Sequence, residues 1–411
     1  MKKILFDVDG VFLSEERCFD VSALTVYELL MDKCYLGLHS HIDWETLTDN
    51  DIQDIRNRIF QKDKILNKLK SLGLNSNWDM LFIVFSIHLI DILKKLSHEE
   101  IEAFMYQDEP VELKLQNLST NLADGFNLNE QLPLQFLDNV KVGKNNIYAA
   151  LEEFATTELH VSDATLFSLK GALWTLAQEV YQEWYLGSKL YEEVEKKIAR
   201  TTFKTGYIYQ EIILRPVDEV KVLLNDLKGA GFELGIATGR PYTETVVPFE
   251  NLGLLPYFEA DFIATASDVL EAENMYPQAR PLGKPNPFSY IVALYGNKHD
   301  KYESYINKQD SIVNKDDVFI VGDSLADLLS AQKIGATFIG TLTGLKGKDA
   351  AGELEAHHAE ADLLSAQKIG ATFIGTLTGL KGKDAAGELE AHHADYVINH
   401  LGELKAVLDN L

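Results

Sequence analysis

Near the N-terminus the chain reads Lys3-Ile4-Leu5-Phe6, then Asp7-Val8-Asp9-Gly10-Val11. A short apolar run of this kind reads as a buried strand, and the Asp-x-Asp-Gly that follows ends it abruptly. Two carboxylates in such close succession at the C-terminal end of a strand sit where open parallel sheets place their ligands. Gly10 lets the backbone turn close to whatever is bound there. Taken alone, these residues also fit a strand followed by a polar turn, so the rest of the chain has to decide.

The chain has 411 residues, 46% of them hydrophobic and 25% charged, which suits a globular protein of two domains or of one domain with a large insertion. A formal net charge of −25 argues against nucleic acid and anionic membranes as partners, because both would repel it. Only two cysteines occur, Cys18 and Cys34, at a spacing that suits neither a metal site nor a disulfide framework, so the expected compartment is a reducing cytosol. The apolar residues before Asp7 are too few for a signal-peptide core. The most apolar stretch, 80–93 (MLFIVFSIHLIDIL), is shorter than a membrane span and carries His88 and Asp91, so it is expected to be a buried helix.

After the first strand, 12–20 is expected to form a small hairpin turning at Glu15-Glu16. From about 21 to 199 the pattern is helical, with apolar residues at three- and four-residue spacing in 51–72, 78–96, 98–106 and 164–199. Gly73, Asn75-Ser76-Asn77, Asp108-Glu109-Pro110 and Ser162-Asp163 read as connectors or caps. This block shows no alternation of period two, and we read it as a helical domain inserted just after the first strand. From Ile212 the character changes. A helix at 216–229, a strand at 232–237 ending in Thr238-Gly239-Arg240-Pro241, and a short strand at 261–264 follow in order. Gly283-Lys284-Pro285-Asn286-Pro287 opens another helix. The strand at 318–321 ends in Gly322-Asp323-Ser324, a helix begins near Ala326, and 336–341 is the next strand. Strands alternating with helices imply a parallel sheet with right-handed crossovers, which lines the polar clusters along one edge.

Residues 326–359 recur without a single change at 361–394, a period of 35. Solenoids need three or more units and natural units drift in sequence, so two identical copies look instead like a recent duplication or an error in assembling the sequence. Only the first copy follows Gly322-Asp323-Ser324; at the matching places the second has His357-His358-Ala359. Only the second runs into Asp395-Tyr396-Val397-Ile398, which reads as the last strand. The short link from the preceding strand favours the first copy for the core, since a short closure costs less entropy. The second is then expected to be a long insertion, an added edge strand and helix or a mobile segment.

Four polar clusters need one explanation: Asp7 with Asp9, Thr238, Lys284, and Asp323 with Asp327. Carboxylates crowded at one sheet edge repel each other unless a cation joins them. Hard oxygen ligands without histidine or thiolate point to Mg²⁺. A hydroxyl at the start of a loop and a lysine at the start of a helix are suited to holding a phosphate. A carboxylate can itself attack phosphorus and form an aspartyl-phosphate.

With these residues in place, the chain resembles the haloacid dehalogenase-like (HAD) hydrolase superfamily, of the phosphatase type. The resemblance rests on FDVDGV at 6–11, ATGRP at 237–241, GKPNP at 283–287 and VGDSLAD at 321–327, in the family's order. It implies a Rossmann-like, doubly wound parallel α/β core over 1–13 and 207–411. The helical block at 14–206 matches by position only, falling where family members carry a cap between the first and second motifs, and it is unusually large for one. The roles implied are these. Asp7 would be the nucleophile and a metal ligand. Asp9 would be the general acid and then the base, with its backbone carbonyl also on the metal. Thr238, with Gly239 beside it, would bind the transferring phosphoryl group; Lys284 would neutralise that group and help position Asp7. Asp323 would bind Mg²⁺ directly, and Asp327 would support it. Family members that cleave carbon–halogen bonds or phosphonates lack an aspartate at the place of Asp9, and no Asp-Lys-Thr-Gly of a transport ATPase is present. The resemblance therefore implies hydrolysis of a phosphomonoester on a small phosphorylated substrate, with a phosphomutase or a non-catalytic module using its helical insert for protein interaction as the other readings.

Other features read more plainly as structure. His39-Ser40-His41 lacks a third ligand nearby and reads as a polar loop, and His357-His358 with its repeat His392-His393 reads as a solvated turn. His88 reads as a core residue. The aromatic stretch 181–191, with Lys189, reads as helix packing, its alternative being a face toward substrate. Arg240 reads either as a second phosphate contact or as a surface residue.

Overall fold

In the computed structural model the described residues are 2–38, 42–74, 76–121, 128–308, 312–314, 316–340, 374–376, 396–398 and 405. His39, Ser40, His41, Asn75, the histidine pairs at 357–358 and 392–393 and most of the second copy lie outside them. The chain divides into two compact units, Met1–Glu15 with Ile208–Leu411, and Glu16–Tyr207.

The first unit is built on a parallel sheet whose strand order among the described residues is β3-β2-β1-β4-β5-β6-β7. These strands are β1 Lys3–Phe6, β2 Glu233–Ala237, β3 Ile263–Ala264, β4 Val318–Gly322, β5 Thr337–Gly340, β6 Ile374–Thr376 and β7 Tyr396–Ile398. Every neighbouring pair is parallel. The continuous apolar run of β1 follows from burial on both faces. Ile4 and Phe6 pack with Leu224, Phe249 and Phe258 on one side, while Leu5 packs with Phe288, Ile291 and Val292 on the other. In β4, Phe319 and Val321 share the first face, and Val318 and Ile320 the second. Helices cover the sheet, among them Val217–Gly229, entered at Pro216, and Phe288–Tyr295, entered at Pro287.

The expected hairpin at 12–20 does not form. The helix Glu16–Met31 already begins inside it, and Phe12 to Ser14 pair instead with the distant segment around Ile213. Ser14 N donates to Ile212 O at 2.8 Å and Leu214 N to Phe12 O at 2.9 Å. A partner two hundred residues away leaves no local signal.

The described residues of the second unit are helical throughout its regular structure. The helix Asn77–Leu93 is buried on every side from Asp79 to Leu93, which accounts for its unbroken apolar sequence. Its buried charge is answered: Asp79 accepts from Lys144 Nζ at 2.5 Å, Tyr148 OH at 2.8 Å and Trp174 Nε1 at 3.0 Å. His88 is buried in the same helix, and burial holds it at about 4, hence neutral. The periodic stretch 51–72 is two helices, Asp49–Ile59 and Lys64–Ser71, parted where Gln61, Lys62 and Asp63 take left-handed conformations. The break lets the Asp63 carboxylate return to Arg56, at 2.9 and 2.8 Å. The stretch 164–199 likewise splits into Ala172–Leu186 and Ser188–Glu195 at Gly187, whose φ is +79°. A Cβ there would lie 2.7 Å from the carbonyl carbon of Thr205, so only glycine allows the two segments to pass. Tyr181, Trp184, Tyr185 and Tyr191 are buried and Lys189 is exposed, in keeping with helix packing.

Both copies of the repeat reach the sheet. Ile339 of β5 pairs in parallel with Ile374 of β6, the matching residue of the second copy. The second copy therefore supplies an interior strand, and β7 takes the edge that we expected the second copy to occupy. The helix Leu325–Ile334 of the first copy starts at a capping box. Ser324 Oγ accepts from Asp327 N, and Asp327 Oδ2 accepts from Ser324 N and Oγ. At the matching place the second copy has Ala359, which offers no such oxygen. Deleting residues 326–360 joins Leu325 to Ala361, keeps Ser324 and places Asp362 where Asp327 stands. The melting temperature of that variant should stay within a few degrees of the full chain's, because the twin offers the same residues to the same slots; a large drop would show that the first copy cannot be replaced by its twin.

Candidate active site

Three neighbouring strands end in register. Phe6 pairs with Ile236 and with Val321, so Asp7 after β1, Thr238 close after β2 and Asp323 after β4 come out along one sheet edge. The strand order runs away from β1 in both directions, β2 to one side and β4 to the other, which is the crevice where doubly wound sheets bind ligands. Two glycines make the crowding possible. Gly10 has φ +71°, and a Cβ there would fall 2.2 Å from Asp323 Oδ2. A Cβ on Gly322 would fall 2.6 Å from that of Asp327.

The Lys284 ammonium lies between two carboxylates, 2.9 Å from Asp7 Oδ1 and 2.7 Å from Asp327 Oδ1. Asp327 is fully buried and also accepts from Tyr290 OH at 2.7 Å and Ser324 Oγ at 2.6 Å. Burial alone would raise it, but the Lys284 charge and these hydrogen bonds outweigh burial and hold it below the usual carboxylate range. Lys284 loses less to burial than it gains from its two carboxylates and stays an ammonium. Asp7 is left less well compensated. Burial, opposed by Lys284 and reinforced by Asp327 and Asp9, pushes it up to about 7. Asp323 is driven well above the usual range by burial and by Asp7 and Asp327. Oxygens of Asp7, Asp323 and Asp327 lie within 4.8 Å of one another. Such a set of hard donors, with repulsion that Lys284 does not remove, fits a small divalent cation such as Mg²⁺.

Asp9 stands apart from that cluster. Its carboxylate takes both oxygens to Arg240, with Nε at 3.0 Å from each and Nη2 at 2.6 Å from Oδ1. Of the four aspartates read as metal ligands, then, three bring their carboxylates together, and the fourth was assigned through its backbone carbonyl. Arg240 is not a surface residue: it is buried, and its Nη1 lies 2.5 Å from Glu211 Oε1. Thr238 is buried at the end of β2, and its Oγ1 accepts from Arg240 N at 3.1 Å, which leaves the hydroxyl hydrogen to donate elsewhere. Gly239 is exposed with open space beside it.

Tyr290, Ser324 and Glu211 belong to this constellation without having been singled out in the sequence. Ser324 and Asp327 form a readable Ser-x-x-Asp cap. Tyr290 and Glu211 carry no local signal, because tertiary packing alone brings them to Asp327 and Arg240.

A search of curated proteins finds no match. Among solved structures the chain is similar to an X-ray structure of a Northeast Structural Genomics Consortium target, with 89% identity, a TM-score of 0.85, and coverage of 100% of this chain and 99% of that one. A hydrolase from Pseudomonas syringae matches at 16% identity and a TM-score of 0.31, covering 87% of this chain and 90% of that one. A HAD-superfamily hydrolase, subfamily IA, variant 1, from Geobacter sulfurreducens PCA matches at 15% identity and a TM-score of 0.31, covering 83% and 87%. Membership is decided by the family model described as haloacid dehalogenase-like hydrolase, which matches residues 1–335. The protein belongs to the haloacid dehalogenase-like hydrolases.

Proposed function

We propose that the protein is a Mg²⁺-dependent phosphomonoester hydrolase that works through an aspartyl-phosphate on a small phosphorylated metabolite. The observation that carries this reading is the convergence of Asp7, Asp323 and Asp327 within 4.8 Å, with Lys284 2.9 Å from Asp7. Asp7, Asp323 and Asp327 would hold the ion, with the Asp9 carbonyl joining them; when bound, it supplies positive charge opposite the transferring phosphoryl group. Asp7 attacks phosphorus, forming an O–P bond as the bond to the leaving oxygen breaks, and Asp9 gives that oxygen a proton. Asp9 then takes a proton from water as the water oxygen bonds to phosphorus. The bond from Asp7 to phosphorus breaks, returning the free carboxylate and orthophosphate. Lys284 orients Asp7 and offsets phosphoryl charge, and Thr238 donates its hydroxyl hydrogen to a phosphoryl oxygen. Most of the acceleration is positioning and charge stabilisation.

By its place in the chain between the first two motifs, the helical unit is read as the cap that sets substrate choice. A lid of this kind suits a small metabolite better than a macromolecule. Two free thiols, Cys18 buried and Cys34 exposed, fit work in the cytosol. Among the described residues no helix is long and apolar enough to cross a membrane. The non-catalytic reading gives no reason for the Lys284, Asp7 and Asp327 contacts.

Asp7→Asn should lower Mg²⁺-dependent release of phosphate from p-nitrophenyl phosphate by about a thousandfold or more while leaving the circular dichroism spectrum unchanged. Retained turnover in that variant would refute the nucleophile assignment. A second expectation concerns pH. Because folding raises Asp7 from 3.8 to about 7, protonated Asp7 stabilises the metal-free fold, and that contribution disappears as pH climbs through 7. Mg²⁺ needs the carboxylate form. The rise in melting temperature that Mg²⁺ produces should therefore be small at about pH 5 and grow to several degrees at about pH 8, up to about 2.7 kcal/mol at a hundredfold excess over Kd. A Mg²⁺ effect independent of pH would contradict it.

A further inference from the structure

We infer that Arg240 is a positioning residue for Asp9, held in place by Glu211, and that it acts on the reaction only through Asp9; the inference rests on the phosphatase reading. Asp9 is the fourth carboxylate at this sheet edge. Asp7, Asp323 and Asp327 already crowd within 4.8 Å, and the Lys284 ammonium among them is engaged by Asp7 and Asp327. A freely rotating Asp9 would be repelled into solvent, or would swing toward any cation bound by the other three. Either way it would leave the leaving-group oxygen. Arg240 prevents both outcomes. Its Nε and Nη2 grip the two Asp9 oxygens at 2.6–3.0 Å, a planar fork that fixes the carboxylate in orientation as well as distance.

The guanidinium is itself prevented from following a ligand. Nη1 is tied to Glu211 Oε1 at 2.5 Å, and the Arg240 side chain is 6% exposed and that of Glu211 2%. The Asp9 side chain keeps 29% exposure, so the carboxylate is anchored from behind with a face still open. Glu211 and Asp9 lie on the two segments by which the chain returns to and leaves the core unit. These segments are joined by the Leu13–Ile213 bridge, so the anchor sits on backbone that is paired. Arg240 N also donates to Thr238 Oγ1, which places the orientation of the acid–base group and of the phosphate-binding hydroxyl in the charge of one residue. On this inference Arg240 serves Asp9 and not the phosphate, which departs from one of its two sequence readings.

The test compares leaving groups. Phenolate needs a proton from Asp9 far more than p-nitrophenolate does. With the full-length protein, Arg240→Met should lower kcat/KM, which reports the steps through release of the leaving group, by about 10- to 100-fold on phenyl phosphate, a fraction of a general acid's usual worth, and by less than about threefold on p-nitrophenyl phosphate. Arg240→Lys, which keeps the charge and loses the fork, should not restore phenyl phosphate turnover. In an Asp9→Asn background, where the burst of p-nitrophenolate is read, adding Arg240→Met should change the rate by less than about twofold, as for two residues acting as one unit. Should Arg240→Met not fold, as judged by melting, Glu211→Gln carries the test with a smaller loss of the same leaving-group pattern. A raised KM with equal loss on both substrates, an effect that persists in the Asp9→Asn background, or a gain in rate on freeing Asp9 would each overturn the inference while the phosphatase reading stands. A native protein that releases no phosphate overturns that reading, and this inference with it.

Discussion

One ammonium between two carboxylates governs this sheet edge. Lys284 reaches from the segment before the helix Phe288–Tyr295 to Asp7 and Asp327, and without it the buried charge of Asp327 would be uncompensated. Removing one partner of such a buried group leaves the others exposed to the full desolvation cost. Asp327 is at once a partner of Lys284, the acceptor for Tyr290 and the third residue of the cap on the helix Leu325–Ile334. The start of that helix and the charge balance of the site are therefore one structural fact. A glycine at 322 is what lets Asp327 approach so closely.

The division of charge is uneven, and the unevenness has chemical meaning. Asp327 receives the Lys284 charge and two hydroxyl donors, and it stays ionised. Asp7 shares the same ammonium with less help, and Asp323 has no comparable relief. Asp7 and Asp323, left in electrostatic debt, have the most to gain from a cation, while Asp327 is already held by the protein's own donors.

The core was readable because its signals are local. β1, β2 and β4 are continuous apolar runs bounded by Asp, Thr-Gly or Gly-Asp, and each was expected within a residue of where it lies. The polar residues at their ends were readable for the same reason, since parallel pairing in register turns strand ends into neighbours. What escaped depended on distance along the chain. The segment after Asp9 looked like a hairpin because its real partner, around Ile213, follows the whole helical unit. Arg240 could not be placed from the sequence because its two acids come from those same distant segments. Helix breaks at Gln61 to Asp63 and at Gly187 were hidden inside good periodicity, for the first is drawn by Arg56 and the second is imposed by Thr205.

The pairing of Ile339 with Ile374 sets a segment beside its own duplicate, parallel and without offset. Stacks of identical strands at zero offset are the rule that builds fibrils from separate molecules. Here the rule is satisfied between two parts of one chain, flanked on one side by β4 and on the other by β7. The sheet carries a template and its replica together. What would be self-recognition between molecules has become an internal joint, closed off by a strand of different sequence.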